Sequence, residues 1–94
     1  MHEILDNTTV VNPDTKEMYY KVLDALHKLG TKHDDHWDDY AENACLRLNL
    51  RGNHADRAHY QFEGNPFMDP EEFLRRVGNS QGLERPVVNT YPIY

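Results

Sequence analysis

Met18, Val22, Ala25, Leu26 and Leu29 recur at the three-to-four spacing of one helix face. Ahead of them stands Asn12-Pro13-Asp14: Asn can cap free amides, Pro is preorganised for the first helical turn, and Asp complements the helix dipole. Gly30 follows Leu29, where a helix ends easily. The pattern predicts a helix from about Pro13 to Leu29. Its remaining faces carry Glu17 four before Lys21 and Asp24 four before Lys28, acid-before-base pairs that suit a solvated surface.

Two readings compete in the next stretch. Trp37, Tyr40, Ala41, Ala44, Cys45 and Leu48 fall on one broad helical stripe, which predicts a second helix within His33 to Arg51, stopped by Gly52-Asn53. Within it, however, Cys45-Leu46-Arg47-Leu48-Asn49-Leu50-Arg51 alternates with the period of a strand that could pair with Ala58 to Glu63. Helix is the preferred reading. His54 to Phe62 then forms either a short third helix capped by Asn53 or the return strand of that hairpin.

Asp69-Pro70-Glu71-Glu72 repeats the start signal of the first helix, with a capping-box-like Glu three residues after the Asp. Phe73, Leu74 and Val77 supply an apolar face, Arg75 and Arg76 suit a C-terminal end, and Gly78-Asn79 marks a stop. Beyond Ser80, Pro86 and Pro92 among Val87, Val88, Tyr91, Ile93 and Tyr94 exclude a regular helix. The expected fold class is therefore mostly α: one domain over 1–94, three to four helices, and an extended apolar C-terminal tail over 80–94. The alternative is an α+β fold with a hairpin across 45–63.

Composition narrows the function classes. A chain of 94 residues with a hydrophobic fraction of 38% has a thin core, which makes self-association the default expectation. Sixteen acids against ten bases argue against general binding to nucleic acid through phosphate neutralisation. The first 47 residues hold ten acids and five bases, so the negative charge is concentrated there. No apolar run of the roughly 20 residues needed to cross a bilayer occurs. One cysteine, Cys45, cannot form an internal disulfide, and no secretory leader pattern opens the chain; both favour a reducing, cytoplasmic setting.

The densest chemistry lies in His33-Asp34-Asp35-His36-Trp37-Asp38-Asp39-Tyr40-Ala41-Glu42, with five acids and no lysine or arginine. Three readings apply. The acids can be an ordinary solvated face, with Asp34 and Asp35 favoured by the dipole of a first turn. Alternatively Asp34, Asp35, Asp38, Asp39 and Glu42, with Trp37 and Tyr40 as aromatic anchors, form a contact surface for a basic partner, the carboxylates standing in for phosphates. In the third, His33, His36 and Asp39 ligate a metal, although steps of three drift around a helix and no established zinc motif is present.

Arg47, Arg51 and Arg57 with Tyr60 make a local cluster of the residue types that hold phosphates and stack on bases, so a nucleotide is a further candidate ligand. The competing reading pairs these arginines with the acids of the preceding segment. Cys45 lies on the apolar stripe, where it reads as an inert buried thiol, and no phosphate loop or nucleophile elbow occurs. The expectation is a small acidic non-enzymatic protein without a cofactor, acting as an inhibitor, adaptor or accessory subunit on a macromolecular partner with a basic surface. A metal- or nucleotide-binding module is the alternative.

Overall fold

The computed structural model describes residues 4–81. In chain order they form strand β1 (Val10–Val11), helix α1 (Lys16–Lys28), a four-residue helix α2 (Trp37–Tyr40) continued by a 3-10 turn at Ala41–Asn43, and strand β2 (Ala44–Arg47). Strand β3 (His54–Asp56), helix α3 (Arg57–Glu63), strand β4 (Phe67–Met68) and helix α4 (Pro70–Gln81) complete them. The strands make one mixed sheet in the order β3-β2-β1-β4, with β1 antiparallel to β2 and parallel to β4. The fold is α+β, which overturns the mostly helical expectation.

Strand alternation sorts the core onto two faces of this sheet. Val11, Ala44 and Leu46 point to the side covered by α1 and α4, where they join Tyr19, Val22, Leu23, Leu26, Phe73 and Val77. Val10 and Cys45 point the opposite way and pack with Tyr60 of α3.

Helix α1 confirms the periodic reading but not its start. Thr15, not Asn12, caps it, accepting from the Met18 amide at 3.2 Å. Asn12 is used elsewhere: its Nδ2 donates to the carbonyls of Glu42 (3.1 Å) and Ala44 (3.0 Å), and its Oδ1 accepts from Arg57. Gly30 ends the helix as expected, with φ +91, while the Thr31 amide bonds back to the Leu26 carbonyl. Of the two charge pairs, Lys28 to Asp24 closes at 3.2 Å.

The expected second helix is confined to α2. Three tertiary demands win over its helical stripe. Ala41 turns the chain with φ 50 and ψ −128, Asn12 claims the carbonyls on either side of Asn43, and β2 takes up the alternating pattern. The hairpin pairs Ala44 with Asp56, Cys45 with Ala55 and Leu46 with His54. The return strand is therefore His54–Asp56 and not Ala58 to Glu63; those residues belong to α3, whose cap is Asp56 rather than Asn53, with Asp56 Oδ1 accepting from the His59 amide at 2.9 Å. Both competing readings of that stretch were partly right.

Asp69 caps α4 as anticipated, its Oδ2 accepting from the amides of Glu71 and Glu72. The helix passes Gly78 and runs to Gln81, so the expected stop there fails and the first two residues of the 80–94 tail are helical. Arg75 and Arg76 both reach back to Glu72 and serve as side-chain pairs one turn apart. Residues 82–94 of that tail lie outside the described residues. No helix among those described is long and apolar enough to cross a membrane.

Candidate functional site

The acid-rich segment is an extended approach followed by the turn of α2. All five carboxylates, Asp34, Asp35, Asp38, Asp39 and Glu42, are exposed. Trp37 and Tyr40 are half-buried and pack on the main core, Trp37 against the Tyr19 ring at 5.5 Å. The aromatic residues thus fasten the turn from beneath and do not stand out as free anchors.

Several polar bonds fix the backbone that carries these acids. The Tyr19 hydroxyl accepts from the His36 amide at 2.9 Å. Asp35 accepts from the Tyr20 hydroxyl at 2.7 Å and from the Trp37 amide at 3.0 Å. Those two bonds, the Tyr20 one first, hold the Asp35 carboxyl below the usual carboxylate range. Conversely, the bond to Asp35 is the main cause that pushes the Tyr20 hydroxyl up to about 12.

His33 is buried and spends both ring nitrogens locally. A carbonyl can only accept, so Nε2 carries the hydrogen toward the Arg47 carbonyl at 2.6 Å, leaving Nδ1 to accept from the Thr31 hydroxyl at 2.7 Å. Burial, partly offset by the Arg47 bond, holds its pKa below the ordinary imidazole value. His27 Nε2 in turn donates to the His33 carbonyl at 2.6 Å. His33 is a structural brace between Thr31 and β2.

His36 lies apart from it, its Nδ1 2.9 Å from Asp39 Oδ2. Of the three candidate ligands, only His36 and Asp39 meet; His33 has no nitrogen left to give. Among the described residues no group of three or more His, Cys, Asp or Glu side chains is arranged to hold a metal ion.

The nucleotide cluster is likewise dispersed. Tyr60 is 3% exposed, inside the second core cluster, so no base can stack on it. Arg47 donates through Nε to the Asn7 carbonyl at 2.6 Å and Arg57 donates to Asn12. Arg51 lines a separate shallow groove of about 260 Å³ with Leu5, Asp6, Asn7, Asn49 and Leu50. Nor do these arginines neutralise the acids: among the described residues no lysine or arginine forms a salt bridge with residues 34–42, and Lys16 acts on Asp35 only at longer range. Cys45 is buried, its Sγ donates to the Asn43 carbonyl at 3.6 Å, and burial pushes the thiol up to about 12, which leaves it inert.

Periodicity did not bring Tyr19, Tyr20 and His54 to this site. His54 enters from β3, its ring stacked on His36 with centroids 3.4 Å apart and planes at 20°, and Tyr40 flanks both rings. The available signal was the strand period at Cys45 to Arg51, which implied a return strand but not its register.

Searches with this chain against protein-family models, curated proteins and solved structures return no match.

Proposed function

We propose that the chain acts without turnover, by docking the acidic turn of Asp34, Asp35, Asp38, Asp39 and Glu42 onto the basic surface of a macromolecular partner. The observation that carries this reading is that five exposed carboxylates sit on one short, rigidly braced segment to which, among the described residues, no lysine or arginine is paired in a salt bridge. Such unneutralised charge raises the local potential and steers a cationic surface toward the turn. Trp37 and Tyr40 contribute by fixing the carboxylates in space, which lowers the entropy lost on binding. The carboxylates would occupy positions that phosphates of a polyanion otherwise take on the partner. A reducing, cytoplasmic setting accords with the single buried thiol.

The test compares two variants of equal net charge. Asp34→Lys with Asp38→Lys reverses the turn while sparing every side-chain hydrogen bond described above, and Glu63→Lys with Glu71→Lys reverses exposed acids elsewhere. Titration with a short oligolysine should show the turn variant binding on the order of tenfold more weakly than the control variant, with a steep salt dependence in the unmodified protein. Equal affinities for the two variants would refute the assignment to this turn.

A further inference from the structure

The His36–His54 contact joins two segments that the sheet does not connect. His36 opens α2, which carries Asp38 and Asp39, and His54 begins the edge strand β3. The rings overlap face to face at 3.4 Å. That geometry suits two neutral imidazoles or one cation on one neutral ring. It does not suit two cations, whose repulsion at such a separation is strong in a partly buried site.

The surroundings make the two rings unequal. His36 Nδ1, when it bears a hydrogen, donates to Asp39 Oδ2 at 2.9 Å. His54 Nδ1 is buried without a hydrogen-bond partner, so a proton placed there finds no acceptor. Asp34 and Asp39 attract a charge on His54 and His36 repels it, while burial, the largest influence, opposes it. Of the other groups nearby, Asp35 faces His36, His33 interacts with His54 from the brace, and Tyr40 offers its ring. On the β2 side, the register partner of His54 is Leu46, which brings no charge.

We propose that the His36–His54 stack is a proton-operated latch: with at most one ring charged it clamps the acidic turn to β3, and protonation of both rings separates them and frees the turn. A change in partner binding on release rests on the function proposed above; the latch itself is a property of the fold. In its closed state the five carboxylates keep the fixed spacing that docking uses, and acidification loosens that spacing before the carboxylates themselves titrate.

The experiment uses the unmodified protein, lowering the pH from about 8 to about 5, a range in which imidazoles titrate and ordinary carboxylates stay ionised. Histidine ring resonances and the backbone amides of Trp37 to Tyr40 are followed by NMR, together with the emission of Trp37, the one tryptophan in the chain. The amides and the emission should move with the His54 ring at a midpoint below the ordinary 6.5. His54→Phe, which keeps a ring on His36 but takes no proton, should flatten that transition. Amides and emission that stay fixed while His54 titrates overturn the latch, as does an identical transition in a folded His54→Phe variant. If that variant does not fold, the unmodified titration alone decides. Oligolysine binding separates the two ideas: no dependence on the turn at pH about 8 removes the proposed docking and leaves the latch standing, whereas turn-dependent docking with immobile amides removes the latch alone.

Discussion

Helix α1 and the stretch from Thr31 to Asp56 bury comparable kinds of residue by different means. In α1, Tyr19, Val22, Leu23, Ala25 and Leu26 fill one face and pack against α4 and the sheet, and local backbone hydrogen bonds satisfy the rest. Beyond that face, Tyr20 and His27 each add a single polar contact to the segment that follows. The second stretch holds its shape through single polar contacts: His33 to Arg47, Asn12 to Glu42 and Ala44, Tyr19 to His36, and Asn49 to Gly52 and Asn53. Redundant apolar contact tolerates small changes, whereas a one-to-one hydrogen bond leaves a buried orphan when either member goes.

The two regions can be set against each other through their glycines. Gly30, after α1, has φ +91 and open space where a Cβ would go. Gly52, with φ +81, packs on backbone: a Cβ there would lie 2.6 Å from the His33 nitrogen and the Lys32 carbonyl carbon. Gly52→Ala should cost about 4 kcal/mol or more, and Gly30→Ala about 1 kcal/mol from its left-handed backbone alone. Urea denaturation of the two variants measures the gap, and similar midpoints would erase the distinction between the regions.

Acid probes the same contrast more gently. Burial holds both His33 and His54 below the ordinary imidazole value, so the unfolded chain binds their protons first. The stability these two groups contribute is therefore fully present above pH 6.5 and is lost as the pH drops through 6.5 toward the folded values. Both groups lie in the Thr31 to Asp56 stretch. Hydrogen-exchange protection, taken relative to the intrinsic exchange rate at each pH, should fall first in β2, β3 and α2, with the α1 amides responding later; a uniform fall would contradict the assignment.

The smallest effect expected is a gain. Ala41 holds φ 50 and ψ −128 in the turn after α2, a backbone geometry that favours glycine. Relief of strain by Ala41→Gly outweighs the added freedom of the unfolded chain, for a net stabilisation of about 1 kcal/mol. A rise in thermal midpoint checks it.

The same contrast explains what could be read from the residues alone. Helices α1 and α4 were legible because periodic apolar faces and Pro, Asp and Gly punctuation are local signals. The hairpin was visible only as an ambiguity, since Ala44, Cys45 and Leu48 satisfy a helical stripe while Cys45 to Arg51 alternates. What decided it lies far along the chain: Asn12 acting on residues 42 and 44, and Gly52 seated on Lys32 and His33. The exposure of the five acids followed from composition and the packing of Trp37 on the core from its place on the apolar stripe, but the half-burial of Tyr40 and the arrival of His54 depended on that same distant pairing.

The strand order carries a consequence for how the molecule is made. β1, the earliest strand in the chain, lies inside the sheet between partners that come much later, with Val10 opposite Arg47 on one side and Phe67 on the other. During synthesis Val10 and Val11 emerge well before either neighbour exists: one flank of the strand stays open until residue 47 has been translated and the other until residue 68. Helix α1 can form in the meantime, since its bonds are local, as can the β2–β3 hairpin, but the sheet closes late and over long loops, which places the slow step of folding in the pairing of β1 with β2 and β4.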